Sequence, residues 1–256
     1  AMSIARTEHE ILEKIRWKES YSLYIGIPFC PTTCHYCSFA SYSMEKFADK
    51  VERYLEALFH EIEEAAKMMG NKRLSCVYFG GGTPTSLNEE QLERLLSKVR
   101  TTFPMEHVEE FTVEAGRPDT ITREKLEVLK KYQVSRISIN PQTMQQKTLE
   151  RIGRNHTVEE LKECFSMARE LGFDNINMDL IVGLPGETVE DVKDTLEQIE
   201  IMSPDSLTVH SLVLKRAAKL NQEMDAKDGT DGDSVDRMVE LGMEYAARMG
   251  MKPYYM

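Results

Sequence analysis

Short apolar runs and helix-spaced apolar positions alternate along this chain. The strand-like runs are Leu23–Ile27, Val77–Phe79, Phe111–Glu114, Arg136–Ile139, Ile176–Val182 and Leu207–Leu212. Between the first two, Phe47, Val51, Tyr54, Leu55, Leu58, Ile62, Ala65 and Met69 recur at spacings of three and four, which predicts a helix with one buried stripe. Leu92, Leu95, Leu96 and Val99 predict the next, and Leu126 with Leu129 a short third. Leu161, Cys164, Phe165, Ala168 and Leu171 form a fourth apolar face, and Val189, Val192, Leu196 and Ile199 a fifth. Asn88-Glu-Glu-Gln91 and Thr157-Val-Glu-Glu160 carry capping-box spacing, and Thr188-Val-Glu-Asp191 a weaker version. A loop over Ala226–Asp233 should lead to a last helix, Val235–Met249. Six repeated βα units imply an α/β fold with a parallel sheet, as a barrel, a partial barrel or a doubly wound sheet.

At 256 residues, one large core is within reach. A formal net charge of −11 argues against nucleic acid as the main partner, while leaving room for an anionic small molecule held by local Arg or Lys. No apolar run reaches membrane-spanning length and no signal peptide is recognisable, so the expectation is a cytoplasmic protein without a membrane span. Five cysteines, an odd number, fit a reducing compartment. The opening Ala-Met reads as a cloning remnant. Lys252-Pro-Tyr-Tyr-Met256 stops in mid-pattern, so a piece of a longer protein is expected.

Three of the cysteines fall within eight residues, Cys30-Pro-Thr-Thr-Cys34-His-Tyr-Cys37. They are one too few for a four-thiolate zinc site and cannot all be used in a disulfide. The C-x3-C-x2-C spacing suits a [4Fe–4S] cluster whose fourth iron is left for a substrate. A zinc knuckle completed by a histidine is the rival. Cys76 and Cys164 read as core residues.

Chemistry in parallel α/β folds gathers at the carboxyl ends of strands, and polar residues fall there in this chain. Cys30 follows the first strand and Gly80-Gly-Gly-Thr-Pro-Thr85 the second. Glu114 closes the third, Gln142 follows the fourth, Asp179 lies within the fifth and His210 near the end of the sixth. Glu114 and Asp179, in apolar surroundings, would be costly to bury without a partner or ligand. The glycine triplet allows close backbone approach to a ligand. Gln142 and Arg154 lie in a polar stretch where solvation is the simpler reading. Asn155-His156 reads as a loop and helix cap.

Taken together, Tyr24-Ile-Gly-Ile-Pro-Phe-Cys30, Tyr78-Phe-Gly-Gly-Gly-Thr-Pro-Thr85, Val113-Glu-Ala, Gln142, Arg154 and Asn177-Met-Asp-Leu-Ile-Val-Gly-Leu-Pro-Gly-Glu-Thr188 resemble the radical S-adenosylmethionine (SAM) superfamily. Within it, they resemble the oxygen-independent coproporphyrinogen III oxidase-like family, on its coproporphyrinogen dehydrogenase branch. The likeness runs from about residue 21 to 213. It implies a partial (βα)6 TIM barrel of the radical SAM type over 21–213, a leader over 1–20, and a loop and helix over 214–256 leading to a carboxyl-terminal domain.

The resemblance also implies roles. Cys30, Cys34 and Cys37 would ligate a [4Fe–4S] cluster. Gly81, Gly82, Thr83 and Glu114 would hold the amino end of SAM, and Arg154 its carboxylate. Gln142 and Asp179 would meet the ribose. Tyr36 would pack on adenine, and Tyr24 would reach the cofactor near the cluster. The implied reaction is reductive cleavage of SAM followed by hydrogen abstraction and oxidative decarboxylation of a porphyrinogen propionate in haem biosynthesis. Implied partners are an anionic porphyrinogen or haem-like molecule and an electron donor such as flavodoxin or ferredoxin. One departure stands out: Ser38-Phe39 follows the third cysteine where the best-known oxidases have a further cysteine. That pattern also occurs in relatives resembling haem-trafficking proteins, so a haem-binding chaperone is the alternative.

Overall fold

The computed structural model describes residues 18–213, 218–220 and 231–254, together with the isolated positions 6, 8 and 9. The opening Ala-Met, most of the leader over 1–20, residues 214–217 and 221–230 of the expected loop, and the terminal Tyr255-Met256 lie outside the described residues.

The main strands are β1 (Ser20–Ile27), β4 (Arg73–Gly81), β5 (Glu110–Glu114), β6 (Arg136–Ser138), β7 (Ile176–Val182) and β8 (Ser206–Ser211). They form one sheet in the order β1-β4-β5-β6-β7-β8, with every pairing parallel. Two short strands, β2 (Phe29–Cys30) and β3 (Tyr42–Ser43), pair separately. Each successive strand of the sheet adds to the same edge. A doubly wound sheet would reverse direction at a switch point, so this order is the wall of a partial barrel, the choice that periodicity left open.

Pairing register explains the two faces of that wall. Ile25, Phe79, Val113, Ile137 and Ile176 sit side by side across five strands, each at most 2 % exposed. Fully burying such a side chain is worth about 1.5–3 kcal/mol, against about 0–1 kcal/mol for a surface ion pair. This apolar row therefore dominates the register. On the opposite face, Tyr24, Tyr78, Thr112 and Arg136 form one row and Glu114, Ser138, Asn177 and Ser206 another. A one-residue slip would exchange the faces.

The covering helices are α1 (Val51–Met69), α2 (Glu89–Thr102), α3 (Arg123–Lys131), α4 (Gln146–Arg151), α5 (Val158–Glu170), α6 (Val189–Met202) and α7 (Gly232–Arg248). All three expected capping boxes form: Asn88/Gln91, Thr157/Glu160 and Thr188/Asp191, the last as complete as the others. The last helix begins earlier than expected, because the Asp231 side chain accepts from Ser234 N at 3.0 Å and starts it at Gly232. Helix α4, at six residues, is too short to announce itself by periodicity. Strand β4 starts at Arg73 rather than Val77, its first half masked by Ser75 and Cys76. Cys76 is only half-buried, whereas Cys164 is a core residue with its thiol directed at Pro118 O. Among the described residues, no helix is long and apolar enough to cross a membrane.

Candidate functional site at the carboxyl rim

The loop carrying the three cysteines is tied down at its base and on both flanks. β2 pairs Phe29 with Tyr42 and Cys30 with Ser43, which closes the base, and Cys37 N donates to Cys34 O at 3.1 Å. On one flank, Gly82 N donates to Ile27 O and Thr83 N to Phe29 O, both at 2.8 Å. On the other, His35 N donates to Ile152 O at 2.9 Å and the His35 ring lies 3.1 Å from Arg151 O.

The glycine triplet is required by this packing. A Cβ on Gly82 would lie 2.7 Å from Phe29 O and 2.9 Å from Cys30 Sγ, and one on Gly80 would lie 3.1 Å from a Glu114 carboxylate oxygen. Gly81 adopts φ 110°, a conformation open in practice to glycine. The close neighbour of the triplet is the cysteine loop itself. Thr83 Oγ1 donates to Cys30 Sγ at 3.5 Å.

All three thiols are free. Burial pushes the Cys30 and Cys37 thiols up from their ordinary value, and the neighbouring thiols add to the effect in both. Among the described residues, no three His, Cys, Asp or Glu side chains converge as the donors of a single ion would. A four-iron cluster spreads its thiolates over separate irons and does not need that convergence. Three free thiols on one loop, a side-chain-free cradle at Gly82 and donors aimed at two of the sulfurs suit such a group.

Two guanidinium groups lie beneath the loop. Arg154, read from sequence as solvated, is 6 % exposed: Nη2 donates to the Tyr36 hydroxyl at 3.2 Å, Nη1 to Gly116 O at 3.3 Å, and the buried Nε has no partner. An orphaned buried donor is costly and marks a place for an acceptor. The Tyr36 hydroxyl is pushed up to about 12, chiefly by burial. Arg117, 4 % exposed, was not anticipated at all. It grips Asp119 through Nε and Nη2 at 2.9 and 2.7 Å, and its Nη1 reaches Thr32 O, Thr32 Oγ1 and Cys34 Sγ.

The acids of the inner face are held by neutral donors. Tyr78 donates its hydroxyl to Glu114 at 2.5 Å. Burial, with Asp179 nearby, raises the Glu114 carboxyl, though the Tyr78 bond opposes this. Asp179 accepts from Asn177 Nδ2 at 2.7 Å and Asn140 Nδ2 at 2.8 Å. The buried Gln142 is also not the solvated residue expected: it takes φ 66°, donates its N–H to Asp179 O and accepts from Ile181 N. Such strain in a non-glycine residue persists only where its surroundings enforce it. Tyr24 is 62 % exposed and stacks on Tyr78 with centroids 5.9 Å apart. His210 is exposed. His156 does not cap α5, a role taken by Thr157. It is buried, both ring nitrogens lack partners, and burial beside Arg154 pulls it down to about 4.

Comparison with known proteins follows the same lines. The family model described as the radical SAM superfamily matches residues 24–199. The chain is 43 % identical over 244 residues to an oxygen-independent coproporphyrinogen-III oxidase-like protein, HemZ, of Bacillus subtilis, covering 94 % of this chain and 49 % of that one. It is 40 % identical over 195 residues to the heme chaperone HemW of the same organism, covering 76 % and 51 %. The solved structure of coproporphyrinogen III oxidase (HemN) from Escherichia coli, described as a radical SAM enzyme, superposes with a TM-score of 0.82 at 28 % identity, covering 90 % of this chain and 52 % of that one. The chain spans about half the length of the relatives it matches.

Proposed function

The chain belongs to the radical SAM superfamily, in the branch that holds HemN-, HemZ- and HemW-type proteins, and from that premise we propose that it is the barrel of an enzyme that oxidatively decarboxylates porphyrinogen propionates. The observation that carries this reading is the seating of the cysteine loop on the glycine triplet, with Cys30 Sγ against Gly82 and Thr83. Cys30, Cys34 and Cys37 would hold a [4Fe–4S] cluster with one iron left for the amino-acid end of SAM. When bound, that pair supplies a one-electron cleavage yielding a carbon radical able to take hydrogen from an unactivated carbon.

The chain's own residues bind, orient and shield. Arg154 offers a planar donor edge to a carboxylate, with Nε already vacant. Glu114, fixed by Tyr78, accepts from an ammonium beside the backbone of Gly81, Gly82 and Thr83. The two asparagines orient Asp179, and with Gln142 beside it that carboxylate meets ribose hydroxyls. Tyr36 packs on adenine and Tyr24 reaches the cofactor near the cluster. An electron donor of the flavodoxin or ferredoxin kind would reduce the site, and the anionic substrate would enter the open polar face.

A second reading, haem carriage without decarboxylation, is favoured by Phe39, which is 76 % exposed in the Ser38-Phe39 step after the third cysteine. Anaerobic incubation of the intact protein with reductant, SAM and coproporphyrinogen III separates the two. Formation of 5′-deoxyadenosine with vinyl product is expected. Stoichiometric haem binding with no vinyl product would replace the first reading with the second.

A further inference from the structure

We propose that Arg117 sets the reduction potential of the group held by Cys34, acting through that sulfur as a charged hydrogen-bond donor. The inference rests on the cluster reading of the three cysteines. Arg117 lies directly after Gly116, three residues past the end of β5, and its side chain is spent on three tasks at once. Nε and Nη2 form a two-pronged pair with Asp119, Nη1 donates to both Thr32 oxygens at 3.1 Å, and the same Nη1 lies 3.4 Å from Cys34 Sγ. The guanidinium is 4 % exposed, so water screens its charge poorly.

A guanidinium cannot lose its proton in this setting, so the charge is permanent. Donors to cluster sulfurs and nearby charge are among the levers that set such potentials. Reduction adds one electron, taken from a low-potential flavin or iron–sulfur protein, to a group already carrying negative thiolates. Arg117 favours the form with the added electron, which raises the potential. Asp119 opposes it: its carboxylate, with a side chain 19 % exposed beside the same guanidinium, offsets part of the positive field. The pair therefore makes opposite predictions at adjacent positions. A residue that merely pinned the loop at Thr32 would not give two shifts of opposite sign.

The test is a spectroelectrochemical titration of anaerobically reconstituted protein without SAM, with iron and sulfide counted in every sample. Arg117→Gln should shift the midpoint to a more negative potential with full iron and sulfide content. Asp119→Asn, which keeps one acceptor for Arg117, should shift it the other way. An unmoved midpoint in cluster-replete Arg117→Gln, or a negative shift in Asp119→Asn, overturns the proposal. If Arg117→Gln fails to hold its cluster, the sign of the Asp119→Asn shift decides alone. A parent protein that takes up no cluster at all fails the reading of the cysteines instead, and the two failures are distinct.

Discussion

Arg154 donates from Nη2 to the hydroxyl of Tyr36 at 3.2 Å while its own Nε, equally buried, meets no acceptor. The pair joins the third-cysteine end of the loop to the turn before α5, two segments 118 residues apart in sequence. Tyr36 thus holds the guanidinium plane in place with one prong and leaves another for an incoming anion. A carboxylate that binds Nε and the Nη beside it satisfies the orphan and makes the charged contact two-pronged.

Arg154→Lys should weaken SAM binding while the cluster stays in place. A lysine keeps the charge but cannot present the fork, and losing one charge-assisted bond costs roughly 1.5–3 kcal/mol, about 10- to 100-fold in affinity. Anaerobic equilibrium dialysis measures this directly, with iron content as the control. Tyr36→Phe removes only the hydroxyl that holds the guanidinium plane and should weaken SAM binding less than Arg154→Lys does. Unchanged affinity in Arg154→Lys would remove Arg154 from the site.

Cys34→Ala should abolish cluster retention and SAM cleavage together. Iron and sulfide should fall from about four each per chain, the content of one [4Fe–4S] cluster, toward zero. The fold should persist, because the strands are held by the apolar row rather than by this thiol. A variant that stays brown and cleaves SAM normally would show that the ligand lies elsewhere.

Gly82→Ala should be damaging and Gly232→Ala harmless. The Gly82 Cβ would sit 2.7 Å from Phe29 O, a backbone atom that cannot move aside without dragging Cys30. Overpacking of this kind costs about 1–3 kcal/mol, and cluster uptake should drop with it. Around Gly232, in the first turn of α7, a Cβ meets nothing within 4 Å. That change should stabilise by roughly 0.4–1 kcal/mol through the unfolded chain. Urea unfolding of the two variants beside the parent checks both signs.

Much of this arrangement was legible because local chemistry announces it. The apolar row from Ile25 to Ile176 shows as strand-like runs, and Asn88, Thr157 and Thr188 cap helices through partners only three residues away. The cysteine spacing is equally local. Burial of a polar side chain is not. Gln142 and Arg154 read as solvated because their partners, Asp179 and Tyr36, lie far off in sequence. Arg117 was missed for the same reason, although an arginine three residues past the end of β5 and before Pro118 was a signal available to be weighed. Asn140 and Asn177, which fix Asp179, resemble ordinary polar strand-end residues until the neighbouring strands are paired.

Stability should fall as pH rises through the range set by Glu187, opposite to the usual behaviour of an acid. This side chain is 5 % exposed, accepts from Thr143 at 2.5 Å, and burial pushes it from an ordinary 4.5 up to about 7. Between those values the folded chain holds a proton that the unfolded chain has released. Raising the pH therefore favours unfolding, and the penalty is complete only above about 7, on the order of 3 kcal/mol. His156 runs the other way. Its folded value of about 4 lies below its ordinary 6.5, so the unfolded chain binds the extra proton and stability is lost as pH falls through that window. The two windows overlap and partly cancel in the parent protein, so Glu187→Gln is needed to expose the first. The amide still accepts from Thr143 but cannot ionise. Urea midpoints of parent and variant should nearly coincide at pH 5, and by pH 8 the variant should be the more stable. A difference that stays constant from pH 5 to 8 would mean that Glu187 does not titrate in this interval.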